Sequence, residues 1–253
     1  MLLACAATGL QAQPHSVMLG NVRIQWRQVC AQSTPGISWV HVHENETTSV
    51  MAIQALIDSI GKGCLVSWRH SPDSLQPQRY VSYQLGKQQF RFDPNRIYTP
   101  EGLKKTLQAN GAYSKAGFAA AQRVARQFIG RYVDGNKLVV ALHNNSDGGG
   151  LHIKSYLPGG EYANDAAEVF VNEAEDIDDF FYTTDRRIFD FLKARGFNIL
   201  LQNNANVTND GSLSVYCGYN QIAYLNIEAQ QGHLQEQKRM ILAVFDMIEI
   251  LFK

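Results

Sequence analysis

The chain has 253 residues, with 23 basic and 23 acidic side chains, so its formal charge is zero; 45% of it is hydrophobic. That composition supports a buried core and is not that of a disordered chain, and the absence of a basic block argues against nucleic acid as a partner. No apolar run reaches the roughly eighteen residues of a membrane-spanning helix.

Residues 1–12 carry no charge and are small or apolar, like the apolar stretch and cleavage end of a secretory signal. They lack the positive segment that usually comes first, since the first basic residue is Arg23, and a frayed N-terminus is the alternative. The expectation is a periplasmic or secreted protein in which residues 13–253 form one catalytic domain. Removing such a signal would remove Cys5 and leave Cys30, Cys64 and Cys217. Cys30 and Cys64 each flank a core strand, so they form either a bridge in an oxidising compartment or two buried thiols.

Residues 17–28 read as a strand or a hairpin arm, with Gly20-Asn21 as the turn in the second case. Residues 37–42 form an apolar strand of the kind covered on both faces. It runs into the imidazoles and carboxylates of His41-Val42-His43-Glu44-Asn45-Glu46. Val50, Ile53, Leu56, Ile57 and Ile60 then recur at helical spacing, with Thr47 or Asn45 as cap and Gly61 as stop. Residues 64–68 form another strand, and 79–85 and 88–93 a hairpin about Gly86-Lys87. Helices are expected over 100–108 and 116–133, and a strongly apolar strand over 137–143. A glycine-rich loop, 144–150, follows and brings backbone close to a ligand. Strands at 168–171, 180–182, 198–201 and 223–228 come next, with helices at 185–194 and 233–252 between and after them. The stretches 173–179 and 203–212 read as solvated loops. Strands alternating with helices define an α/β fold with a mixed, mainly parallel sheet and helices on both faces. The active site of such a sheet lies at the carboxyl ends of its strands.

Three strand ends carry chemistry. His43 and Glu46 form an H-x-x-E pair at the junction of strand and helix, and His143 closes the strand over 137–143. Two neutral imidazoles and one carboxylate suit Zn²⁺ and leave a position for water. His41 falls on the same side as His43 and serves as a supporting group or a core histidine; His70, His152 and His233 lack so clear a setting. Glu228 ends an otherwise apolar strand, where burial raises a carboxyl pKa toward that of a general base. Asn95 and Arg96 stand together in a turn, an arrangement that clamps a carboxylate through parallel hydrogen bonds.

In chain order these pieces are His43/Glu46, Asp93/Asn95/Arg96, His143 and Glu228. The order resembles that of the zinc carboxypeptidase superfamily, including its aspartoacylase and succinylglutamate desuccinylase branch. His43-Glu44-Asn45-Glu46 and Leu142-His143-Asn144-Asn145 resemble that branch, whereas the approach to Glu228 from Gly211 looks like the peptidase branch. The resemblance implies a zinc-dependent amide hydrolase with a zinc carboxypeptidase-like fold. His43, Glu46 and His143 would hold the ion, its bound water would be the nucleophile, and Glu228 would be the base. Asn95 and Arg96 would hold the substrate carboxylate, and Arg79 or Arg91 would steady the oxyanion. The substrate would be a peptide, in one version a cell-wall peptide, or alternatively an N-acyl amino acid. A non-catalytic carboxylate-binding module is the rival class. The superfamily's substrate-capping tyrosine has no counterpart after Glu228, and Tyr216 and Tyr219 precede it.

Overall fold

A computed structural model describes residues 15–253; the signal-like segment 1–12 lies outside the described residues. The elements in chain order are β1 (His15–Leu19), β2 (Val22–Cys30), β3 (Ile37–His41), α1 (Thr47–Ile60), β4 (Cys64–Arg69), β5 (Val81–Leu85) and β6 (Gln88–Phe92). Then come α2 (Pro100–Asn110), α3 (Lys115–Tyr132), β7 (Leu138–Asn145), β8 (Ala166–Phe170), β9 (Phe180–Thr183), α4 (Arg186–Lys193), β10 (Ile199–Gln202), α5 (Leu213–Tyr219), β11 (Ala223–Gln230) and α6 (Leu234–Leu251).

Nine strands form one mixed sheet in the order β1-β2-β4-β3-β7-β11-β9-β10-β8, and β5 and β6 form a separate ribbon. The central strands β4, β3, β7 and β11 pair in parallel. The antiparallel pairings lie outside them, and only β2, β9 and β10 of the nine run against the rest.

Side chains alternate across each strand, so each face of the sheet needs its own apolar cover. On one face Trp39, Val140, Leu142, Leu225 and Ile227 meet α1, α4 and α6. On the other, Val40, Val139, Ala141 and Tyr224 meet α2, α3 and α5, with Phe90 and Phe92 of the ribbon. β3 and β7 are buried along their whole length, as expected of strands covered on both sides.

Some local expectations change. β3 stops at His41, whereas β7 continues through Asn144 and Asn145. Neither Asn45 nor Thr47 caps α1; Glu46 occupies the cap position and makes no side-chain cap bond. Its carboxylate is directed at imidazoles instead. α5 is a helix that the sequence hides, because Leu-Ser-Val-Tyr-Cys-Gly-Tyr is poor in helix formers; its start is marked by Ser212, whose hydroxyl accepts from the Val215 N–H. Cys30 and Cys64 are register partners on β2 and β4 and are bridged. Cys217 is free and buried. Among the described residues no helix is long and apolar enough to cross a membrane.

One backbone contact fixes the wall of the future site. The Tyr98 N–H donates to the Gly211 carbonyl at 2.9 Å, and a Cβ on Gly102 would stand 2.1 Å from the Gly211 Cα. Two glycines thus let the start of α2 touch the loop before α5. Gly102→Ala is expected to lower the unfolding free energy by about 2 kcal/mol, as overpacking does. Urea denaturation measures this, and an unchanged midpoint would mean the contact is slack.

Candidate functional site

Two register facts build the site. His143 on β7 pairs with Glu228 on the parallel β11, so the two side chains leave the same face about 5 Å apart. Alternation places the next residue, Asn144, on the opposite face. There its Oδ1 accepts the Ser49 N–H of α1 at 3.0 Å. Its Nδ2 donates to the Ala229 carbonyl at 3.0 Å and to Gln237 Oε1 of α6 at 2.8 Å. Its backbone N–H donates to Glu46 Oε2 at 3.2 Å. Through its side-chain amide and its backbone N–H together, Asn144 therefore joins β7, β11 and α6 to α1 and to the turn that carries Glu46.

That turn is closed by the Glu46 N–H donating to the His43 carbonyl at 3.0 Å. Ser49 Oγ donates to the Glu46 carbonyl at 2.8 Å, and His41 Nε2 lies 3.0 Å from the same oxygen. His41 is fully buried and so braces the Glu46 backbone rather than facing the cavity. Burial holds its pKa down at about 3, against the opposing charge of Glu46.

His43, Glu46 and His143 converge. The two Nδ1 atoms stand 3.1 Å apart. His43 Nδ1 is 2.8 Å from Glu46 Oε1, and His143 Nδ1 is 2.9 Å from Glu46 Oε2. One ligand atom from each of the three lies within 4.8 Å of the others. On its far side His43 Nε2–H donates to Asp93 Oδ1 at 2.7 Å. This carboxylate–histidine contact fixes the tautomer and turns the Nδ1 lone pair inward, as behind a metal-ligating histidine. The donor set thus fits a divalent cation.

The protonation balance without an ion is different. Burial disfavours an imidazolium at His43, but the Glu46 and Asp93 carboxylates outweigh it and raise the pKa to about 9, so a cation taking up Nδ1 would displace a proton there. Burial likewise opposes ionisation of Glu46 and Asp93, yet the histidines beside them hold both well below the usual carboxylate range, with Arg96 and Arg79 assisting at Asp93. Glu228 goes the other way: burial raises its pKa, Glu46 adds to the rise and His143 opposes it. The Asn226 amide donates to its Oε2 at 2.8 Å. A buried carboxylate with a raised pKa beside a metal-type site is poised to exchange a proton.

These groups open into a cavity of about 600 Å³, whose lining includes Arg79, Asn95 and Arg96. Asp93 ends the ribbon's approach, and the Asn95 N–H donates back to its Oδ1 at 2.8 Å, turning the chain so that Asn95 and Arg96 face the cleft. Asn95 Oδ1 accepts the Leu213 N–H at the start of α5, at 3.2 Å. Arg79 Nη1 donates to Glu46 Oε1 at 2.6 Å, and Nη2 reaches Asp93 Oδ2 at 3.4 Å. Arg91 is not part of the site. Strand alternation sends Phe90 and Phe92 into the core and leaves Arg91 exposed, its guanidinium 4.2 Å from the Tyr80 ring centre.

The other histidines lie elsewhere: His70 stands 3.8 Å from Glu44, His152 caps the 3-10 turn Ile153–Tyr156, and His233 meets Asp179 at 3.2 Å. Tyr216 donates to Asp134 and Tyr219 is exposed. The tyrosines of the cavity are instead Tyr156, Tyr162, Tyr182 and Tyr224. Sequence reasoning missed these, the support given by Asp93 and the joint made by Asn144. Only Asp93, two positions before Asn95, offered a local signal.

No protein-family model and no curated protein matches the chain. Among the solved structures with a similar chain path are two enzymes. Succinylglutamate desuccinylase from Vibrio parahaemolyticus is 15% identical with a TM-score of 0.45, over 95% of this chain and 78% of that one. Murein-tripeptide amidase MpaA from Escherichia coli O157 is 13% identical with a TM-score of 0.48, over 93% and 91%.

Because Asn144 joins four elements, Asn144→Ala takes this partner from the Ser49 N–H, the Ala229 carbonyl and Gln237 Oε1. It is expected to cost about 3 kcal/mol of stability. Denaturation of the metal-free protein measures this, and zinc competition against a chelator should show weaker binding. Wild-type values in both assays would remove the joint from the account.

Proposed function

We propose that the chain is a zinc-dependent hydrolase that cleaves an amide bond next to a free carboxylate, most simply as a carboxypeptidase. The observation that carries this reading is the convergence of His43 Nδ1, Glu46 and His143 Nδ1 on one point, with Glu228 in register beside His143. A divalent ion held by these three would supply Lewis-acid chemistry, acidifying water and polarising a carbonyl.

The chain's own residues account for the rest. Asp93 keeps the His43 ring oriented. Asn95, through its free Nδ2, and Arg96 take the substrate carboxylate, which places the scissile bond toward Glu228. Glu228 removes a proton from the attacking water and returns it to the leaving nitrogen; its raised pKa suits both directions of transfer. Arg79, already turned to the ligand carboxylate, is the cation nearest the developing oxyanion. Export to an oxidising compartment belongs to the same proposal, supported by the Cys30–Cys64 bridge.

Chelation is expected to abolish hydrolysis, and stoichiometric zinc to restore it. Glu228→Gln should retain zinc and lose about a thousandfold in kcat. Elemental analysis beside single-turnover kinetics tests both, and full turnover by Glu228→Gln would reject the proposed base. Arg96→Ala should raise KM for peptides with a free C-terminus by about tenfold to a hundredfold, the range for a hydrogen bond to a charged group. Amidated peptides should respond much less; an equal loss on both would reject the carboxylate anchor. N-acetyl and N-succinyl amino acids assayed in parallel separate a peptidase from an amidohydrolase of acyl amino acids.

A further inference from the structure

We infer that the residue released by this site carries a positive charge as well as its carboxylate, and that Asp210 and Asp165 recognise that charge. The inference rests on the hydrolase reading above and names its substrate class.

It begins with the clamp. Arg96 Nε lies 3.3 Å from Asp210 Oδ2. The other oxygen of Asp210 accepts the Ser212 N–H at 2.9 Å, so the carboxylate is held by backbone and points at the guanidinium. Asp165 is held the same way, its Oδ1 accepting the Thr208 N–H at 2.8 Å. Both line the cavity, as does Glu161. Apart from the three converging residues and Glu228, the charged side chains of the lining are therefore two arginines against three acids. Arg79 is engaged by Glu46 and Asp93, and Arg96 by Asp210.

A substrate bringing only a carboxylate would add a further negative charge beside Asp210. A substrate bringing a carboxylate and an ammonium balances both Arg96 and Asp210. An acidic side chain meets repulsion, which is how a site rejects a wrong partner. The aromatic lining points the same way. Tyr156 stands 5.4 Å from Tyr162 and 5.8 Å from Tyr182, centre to centre. Such rings cover an aliphatic stem and offer their faces to a cation.

Lysine and norleucine test this, since they differ chiefly by the ammonium group. N-acetyl-alanyl-lysine and N-acetyl-alanyl-norleucine, each with an L or a D terminal residue, are compared on the zinc-loaded protein by kcat/KM and by calorimetric binding. The lysine peptide is expected to be preferred by about tenfold or more, the scale of one charge-assisted contact. In Asp210→Asn the preference should fall to near unity, and in Asp165→Asn it should fall in part; thermal unfolding checks that both variants are folded. Equal binding and turnover of the two peptides would overturn the inference while leaving the hydrolase standing. Preferential lysine binding that Asp210→Asn abolishes, with no turnover, would uphold recognition and overturn the hydrolase reading. Binding of neither peptide would overturn the inference.

Discussion

The site depends on the alternation of side chains at the end of β7. His143 and Asn144 are neighbours in sequence and must leave opposite faces of the strand. His143 enters the cleft. Asn144 enters the opposite layer and there satisfies a donor at the start of α1, a carbonyl of β11 and an amide of α6. The same pleat that presents a candidate ligand therefore anchors the scaffold behind it. Burial keeps water from competing for those bonds, which gives the joint its stiffness.

The second constraint is electrostatic. Glu46, Asp93 and Glu228 are all buried, together with His43 and His143. Gathering ionisable groups away from water costs free energy unless they are paired. The structure pairs all but one of the carboxylates with cationic or protonated partners. Glu46 and Asp93 share His43 and Arg79, whereas Glu228 has only the Asn226 amide. The environment thus drives one carboxyl up and two down, the kind of division that sets a proton-exchanging group apart from charge-holding ones.

Much of this was legible in the chain. Strongly periodic segments such as Leu138–Asn145 and Lys115–Tyr132 announced themselves by apolar runs and spacing. His143 and Glu228 were legible because polar residues near the ends of apolar strands stand out, and His43 and Glu46 because they crowd the junction between an apolar strand and a helix. What was not legible depends on distance in sequence. Asn144 looks like any loop asparagine until Ser49 and Gln237 are beside it. Arg79 and Arg91 are indistinguishable by composition, and only the alternation of Phe90 and Phe92 separates them. α5 was missed because its seven residues favour a strand, and the fold overrides that preference through the Ser212 cap and the buried Leu213 and Cys217.

The contact between Gly102 and Gly211 has a bearing on how this scaffold diversifies. The Tyr98 N–H and the Asn95 amide both grip the segment entering α5, at Gly211 and Leu213. Inserting or deleting a residue close to that grip would shift the guanidinium of Arg96 from its place in the cavity wall. Descendants of this chain are thus free to exchange the side chains along that wall but not to change its length there, so new substrate preferences would arise by replacement and not by loop growth.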